Sequence, residues 1–131
     1  MNFAKWIFRI AGIIGILLVA PFYFAEAQLG PGVPSPITQP EYYYGFIGVT
    51  LAWQIAFLII GSDPLRYRPL MVAAMVEKGT YAGAAIWLFA LDRVPTTLLG
   101  AGLMDLTFGI LFVIAYWLTG SAAAPKAENA P

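Results

Sequence analysis

Residues 96–118 read TTLLGAGLMDLTFGILFVIAYWL, a stretch in which Asp105 is the only Asp, Glu, Lys or Arg. An α-helix rises 1.5 Å per residue, so about 20 apolar residues cross a hydrocarbon core about 30 Å thick. Backbone polar groups in lipid must find partners within their own segment, which favours a helix over an isolated strand. This stretch therefore predicts a transmembrane helix.

Three further apolar stretches of similar length precede it, at about residues 4–24, 42–60 and 68–91. The segments between them contain proline and glycine, which end helices, and residues 28–40 are rich in both, as expected of an extended loop. The fold class predicted from this pattern is all-α, an integral membrane bundle of four transmembrane helices in residues 1–120. A small, polar stretch at 121–131 predicts a disordered cytoplasmic tail.

Composition supports a membrane protein and excludes several functions. Of the 131 residues 60% are hydrophobic and 11% are charged, whereas a soluble domain carries about 25% charged residues. The net charge of zero gives no basic surface for nucleic acid. Cysteine and histidine are absent, which removes thiol chemistry and the commonest metal ligand. We therefore expect no catalytic residue, no metal site and no cofactor. The expected partners are the lipid bilayer and either another membrane protein or a second copy.

Lysine and arginine residues flank the predicted helices unevenly. The larger group lies on one side of the membrane and comprises Lys5, Arg9, Arg66, Arg68 and Lys126. The other side has only Arg93. Because positively charged flanks are retained in the cytoplasm, this distribution predicts that both termini are cytoplasmic, an N-in/C-in topology.

The N-terminus has an alternative interpretation as a cleavable signal peptide. Lys5 and Arg9, the apolar run after them and the Ala-Glu-Ala sequence at 25–27 resemble such a segment with its cleavage site. The apolar run is long for a signal peptide, Arg9 lies well inside it, and bulky residues at 22–24 crowd the cleavage region. Retention is therefore favoured, and cleavage would leave three helices in the same orientation.

Ionisable residues occur inside two of the predicted helices. Glu77 and Lys78 lie in the third and Asp105 in the fourth, although a charge near the bilayer centre costs about 2.5–3.5 kcal/mol on insertion scales. Counted from the cytoplasmic ends at the helical rise, Gln54 lies roughly 9–11 Å deep, Glu77 and Lys78 roughly 13–15 Å, and Asp105 roughly 20 Å. These four residues form the candidate intramembrane polar cluster.

Small residues share helix faces with two members of this cluster. Asp105 has Gly102 and Gly109 on its face, and Lys78 has three alanines on its own. Small residues mark the closely packed side of a membrane helix, so both charges are expected to point into the bundle. The Lys78 side chain is long enough to reach Asp105 across antiparallel neighbouring helices.

Two interpretations of the cluster stay open. In the first, Lys78 and Asp105 form a structural ion pair, and Glu77 and Gln54 complete the polar network of a non-enzymatic structural or accessory protein. In the second, Glu77, Lys78 and Asp105 serve a proton-coupled transporter or a small-lipophile-binding membrane protein, the usual hypothesis for intramembrane ionisable residues. Polar residues are few between Asp105 and the outer surface, which favours the first. A water-accessible cavity reaching the cluster would favour the second.

Several short motifs carry a resemblance to a known group of proteins. They are a proline at position 21, PSPITQPE at 34–41, YYGF at 43–46, DPLRYRPLM at 63–71 ahead of Glu77 and Lys78, and the spacing of Asp105, Gly109 and Phe112. This pattern resembles uncharacterised bacterial four-helix inner-membrane proteins that are broadly DoxX-like. The resemblance implies a multi-pass protein of the bacterial inner membrane. DoxX-like proteins are associated with redox and thiol-stress assemblies, and this chain has no cysteine for thiol chemistry.

Overall fold

The computed structural model describes residues 2–29 and 38–123, and within these ranges all regular structure is helical. The elements are α1 (Asn2–Val19), a 3₁₀ helix (Ala20–Phe24), α2 (Glu26–Leu29), α3 (Pro40–Ser62), α4 (Arg68–Ala90) and α5 (Thr96–Ala123). The all-α prediction is confirmed for this part of the chain. Most of the predicted loop (30–37) and most of the predicted tail (124–131) lie outside the described residues.

The first predicted helix is divided near its end. Pro21 has no N–H and its ring clashes with the carbonyl four residues earlier, so the α-helix stops and a 3₁₀ helix follows. The short helix α2 was not expected from the sequence. Two tyrosines at the start of α3 hold this region, since the Tyr43 hydroxyl donates to the Phe22 carbonyl and the Tyr44 hydroxyl donates to the Glu26 carboxylate.

A tight turn joins α4 to α5. Asp92 has a φ of 55°, a left-handed conformation that Asp tolerates better than most side chains. Its N–H donates to the Phe89 carbonyl at 3.0 Å, and the Arg93 N–H donates to the Leu88 carbonyl at 2.9 Å. These are the paired hydrogen bonds of a Schellman motif, which ends α4 and returns the chain antiparallel along it.

The four long helices pack as two close pairs, α1 with α3 and α4 with α5. Glycines permit both approaches: Gly12 and Gly15 lie against Gln54 of α3, and Gly102 of α5 lies against Ala85 of α4. Helix α1 also packs along α5 and joins the two pairs, whereas α3 and α4 make few contacts. The bundle is therefore loosest between α3 and α4.

A set of three phenylalanine rings, called the aromatic layer below, fills the bundle towards the end where α1 and α4 begin. The Phe8 and Phe112 rings stack with centroids 4.0 Å apart, and the Phe57 ring meets Phe112 edge-on at 5.0 Å. All three side chains are fully buried. Aromatic contacts of this kind contribute about 0.5–1.5 kcal/mol each beyond their buried area.

Two arginines lie at the same end of the bundle as the aromatic layer. Arg9 Nε donates to the Gly61 carbonyl at 3.2 Å, which ties the start of α1 to the end of α3. Arg68 Nε donates to the Tyr116 carbonyl at 3.1 Å, and its guanidinium lies 3.8 Å from the centre of the Tyr116 ring. Arg93 lies at the opposite end, in the turn before α5. The structure thus separates these arginines as the sequence-based topology requires.

Three of the described helical segments are long and apolar enough to cross a membrane: Asn2–Phe24, Pro40–Ser62 and Thr96–Ala122. Helix α4 is not among them, because Glu77 and Lys78 make its middle less apolar. Helix α5 continues to Ala123, past the predicted end at 118. The described part of the chain is thus all-helical, with three helices long and apolar enough to cross a membrane and a fourth long helix that carries internal charges.

Candidate functional site

A cavity of about 1240 Å³, partly open to the outside of the bundle, lies between the two helix pairs. All four long helices line it, mostly with apolar side chains such as Leu18, Phe46 and Val76. On α5 its lining runs from Thr97 to Phe108, a rise of about 16 Å along the helix. The predicted cluster residues Gln54, Glu77, Lys78 and Asp105 all belong to its wall. The structure therefore provides a cavity that reaches the cluster.

The centre of the cluster is an ion pair between α4 and α5. Lys78 Nζ lies 2.9 Å from Asp105 Oδ1 and donates a hydrogen bond to it. The Lys78 side chain is 7% exposed and that of Asp105 is 12% exposed. At this burial, removal of one partner costs about 3–5 kcal/mol, because the other charge is left without compensation.

Small residues on both helices make this pairing geometrically feasible. A Cβ atom added to Gly109 would lie 3.3 Å from Lys78 Cβ, so the absence of a side chain at Gly109 makes room for Lys78. Two turns earlier in α5, Gly102 lies against Ala82 and Ala85 of α4. The predicted small-residue faces are therefore the contact faces of α4 and α5.

Glu77 lies beside the ion pair, but its carboxylate is less well hydrogen-bonded than that of Asp105. Its Oε2 is 3.4 Å from Lys78 Nζ, close enough for an ion pair. The same atom is buried and has no hydrogen-bond partner among the described residues, because the 3.4 Å contact lacks hydrogen-bonding geometry. Lys78 thus directs its hydrogen bond to Asp105 and gives Glu77 only electrostatic compensation.

Gln54 lines the cavity from α3 and is 2% exposed. Its Nε2 donates to the Thr50 carbonyl at 3.1 Å, within the same helix. Its Oε1 lies over Gly15 and has no hydrogen-bond partner among the described residues. The predicted network is therefore smaller than expected. Gln54 shares the cavity with Glu77, Lys78 and Asp105, but no hydrogen bond joins it to them in the described part of the chain.

The aromatic layer lies next to the ion pair, on the side where α1 and α4 begin. Lys78 Nζ lies 5.3 Å from the centre of the Phe57 ring, a cation–π distance. Below this contact the rings of Phe8, Phe57 and Phe112 are fully buried and offer no polar atom. The cavity extends the other way, towards Phe22, Tyr43 and Thr97. The charged groups of the cavity thus lie towards the end that is nearest the aromatic layer.

The cluster combines two carboxyl groups, one ammonium group and one amide. Two carboxylates and one ammonium group leave one negative charge uncompensated when all three are ionised. Two buried oxygen atoms, called the orphan atoms below, have no hydrogen-bond partner among the described residues: Gln54 Oε1 and Glu77 Oε2. The amide oxygen and the ionised carboxylate oxygen can only accept hydrogen bonds. Within residues 2–29 and 38–123, no group of three or more His, Cys, Asp or Glu residues is placed to hold a metal ion.

Several lining residues were not identified from the sequence, among them Tyr43, Thr50, Trp53 and Tyr81. A signal was present, since Tyr43, Thr50 and Gln54 follow helical spacing on one face of α3, and Tyr81 is one turn after Glu77. That spacing alone does not distinguish a cavity wall from a packed interface. Comparisons with protein-family models, curated proteins and solved structures found no match to this chain.

Proposed function

We propose that the chain is a four-span protein of the bacterial inner membrane, with both termini in the cytoplasm, that binds a small lipophilic molecule in the cavity. The observation that carries this proposal is an apolar cavity that ends at buried, incompletely paired polar groups. Small-molecule sites are commonly concave and apolar, with a few polar groups that orient the ligand. We propose no catalytic role for the protein.

The argument for α4 as the fourth span comes from the distribution of its side chains. Lys78 is buried against α5, whereas bulky residues on the exposed side of α4 are apolar: Val72, Ile86 and Trp87. A helix that turns its charges inward and its apolar residues outward suits lipid. Pairing of Lys78 with Asp105 lowers the cost of burying either charge, so α4 is expected to insert together with α5.

Ligand access is expected from the membrane. Helices α3 and α4 make few contacts, so the cavity wall is thinnest between them. Phe46 of α3 and Tyr81 of α4 face each other there, with ring centroids 6.2 Å apart. A lipophile dissolved in the bilayer could enter by displacement of these two rings.

A structural or accessory role is the second candidate, and one observation favours it. The Lys78–Asp105 hydrogen bond joins α4 to α5 and would stabilise the pair without any ligand. Transport is less well supported, because the aromatic layer interposes buried apolar rings between the cluster and the end predicted to be cytoplasmic. The DoxX-like resemblance stays a prediction.

Trp53 provides a test, because it lies in the cavity wall. The other tryptophans, Trp6, Trp87 and Trp117, are largely exposed and would be replaced by Phe. The single-tryptophan protein in lipid nanodiscs would be titrated with amphiphiles that share an 11-bromoundecyl tail, because bromine quenches tryptophan on contact. Headgroups would be primary ammonium, trimethylammonium, hydroxyl and carboxylate.

The matched control is Ala101→Phe in the same single-tryptophan background, because Ala101 lines the cavity and a phenyl group there would obstruct it. Binding in the cavity predicts saturable quenching by at least one amphiphile and its loss in Ala101→Phe. Quenching that rises linearly with all four amphiphiles and is unchanged in Ala101→Phe would contradict the proposed function, since it would report only bilayer partition.

A further inference from the structure

We infer that the cavity selects lipophiles with a cationic, hydrogen-bond-donating headgroup, that is, lipophilic amines in their protonated form. This inference rests on the proposed function and specifies the ligand class of the same cavity. The headgroup would lie beside Glu77 and Gln54, and the apolar body would extend along the walls towards Thr97.

The charge of the cluster is the first reason. The Lys78 ammonium group is already engaged by Asp105 at 2.9 Å, by Glu77 at 3.4 Å and by the Phe57 ring at 5.3 Å. Two carboxyl groups face this single cation, so the site as a whole is short of one positive charge when both are ionised. A ligand cation supplies that charge, whereas a ligand anion would increase the imbalance in a medium of low dielectric constant.

The orphan atoms are the second reason, and they are independent of net charge. Gln54 Oε1 is neutral and buried, and Glu77 Oε2 is buried beside Lys78; neither has a hydrogen donor among the described residues. Buried acceptors without donors are rare in folded proteins, and each is costly. A primary ammonium group carries three N–H donors and can supply a donor to either atom. A trimethylammonium group has the charge but no donor.

Aromatic side chains in the wall are the third reason. Phe46, Trp53, Tyr81 and Phe108 line the cavity together with the acidic residues. The faces of aromatic rings attract cations, and the protein already uses this contact between Lys78 and Phe57. The same walls accommodate an apolar tail, so one ligand class satisfies both parts of the cavity.

The four brominated amphiphiles described above separate charge from donor capacity. At pH 7 we expect the primary ammonium amphiphile to bind most tightly, the trimethylammonium and hydroxyl amphiphiles less tightly, and the carboxylate amphiphile least tightly. The quenching of Ala101→Phe by each amphiphile measures its bilayer partition and is subtracted first. The gap between primary ammonium and hydroxyl should be about tenfold to a hundredfold, the value of a hydrogen bond to a charged group.

Glu77→Gln should remove most of that gap, because it removes the carboxylate that attracts the ammonium group. Glu41→Gln is the matched control, because Glu41 is an exposed carboxylate outside the cavity lining and its loss changes the net charge equally. It should leave the order and the gap unchanged.

The possible outcomes distinguish the two proposals. Saturable binding of hydroxyl and ammonium amphiphiles with equal affinity would overturn the cationic inference and leave the proposed function standing, as would tightest binding of the carboxylate. Absence of saturable quenching by all four would overturn both. Should Glu77→Gln fail to fold, the order of affinities in the otherwise unaltered single-tryptophan protein still decides the inference.

Discussion

Removal of the charges of Lys78 and Asp105, singly and together, gives a prediction whose magnitude follows from the structure. Lys78→Met leaves two carboxylates, Glu77 and Asp105, without their common cation. Asp105→Leu leaves Lys78 with Glu77 still 3.4 Å away. Loss of one partner of a buried pair costs about 3–5 kcal/mol, so Lys78→Met should fall near the upper end and Asp105→Leu near or below the lower end.

The double variant should be much less destabilised than the sum of the single variants. Two apolar side chains of similar size replace the pair, and such replacements are often close to neutral. The expected coupling energy is at least about 3 kcal/mol, at the upper end of the range for residues in direct contact. Glu77 remains in the double variant, so recovery should be incomplete, and Glu77→Gln added as a third change should improve it.

The assay is unfolding of the purified protein by SDS in mixed micelles, followed by far-ultraviolet circular dichroism. Glu41→Gln serves as a control for the loss of one exposed charge. Additive losses in the double variant would refute the pairing of Lys78 and Asp105. A larger loss for Asp105→Leu than for Lys78→Met would refute the role assigned to Glu77 as a second partner.

Three further predictions concern topology, the turn and the packing of glycine. In this cysteine-free chain, Glu41→Cys should react with a membrane-impermeant thiol reagent in intact cells and Ser62→Cys should not; the opposite pattern would reverse the topology. Asp92→Gly should preserve or raise stability, whereas Asp92→Val should lower it by about 1–2 kcal/mol because of its positive φ, and equal midpoints in thermal unfolding would argue against that turn. Gly15→Leu should destabilise by at least about 1–3 kcal/mol because the new side chain overlaps α3, whereas Gly48→Leu meets nothing within 4 Å and should have little effect; equal losses in SDS unfolding would contradict the packing of α1 against α3.

The sequence was sufficient to predict the four long helices and the closeness of Lys78 and Asp105, but not the short helix α2. Apolar length is a local property, and depth along a helix follows from the constant rise per residue. The glycines beside Asp105 gave the direction of its side chain. These features depend on one helix at a time, or on one hairpin, and for that reason they could be predicted.

The cavity and the isolation of Gln54 could not be predicted in the same way. A cavity depends on how far two helix pairs separate, which is decided by the combined packing of all four helices. Gln54 lies at a depth in the membrane similar to that of Glu77 and Lys78, but its side chain packs over Gly15 and donates to the Thr50 carbonyl. Its depth alone therefore did not reveal its hydrogen-bond partner. Equal depth places polar residues at one level of the bilayer, and only helix rotation and spacing determine which of them meet.

The most direct test of ligand binding by this protein is a crystal structure with 11-bromoundecylammonium, located by the anomalous scattering of bromine. We expect one bromine peak inside the cavity, towards Thr97, and the ligand nitrogen within hydrogen-bonding distance of Glu77. Bromine peaks confined to the lipid-facing surface, with the cavity free of ligand density at saturating concentration, would contradict the proposal that this bundle binds a lipophile beside its buried charges.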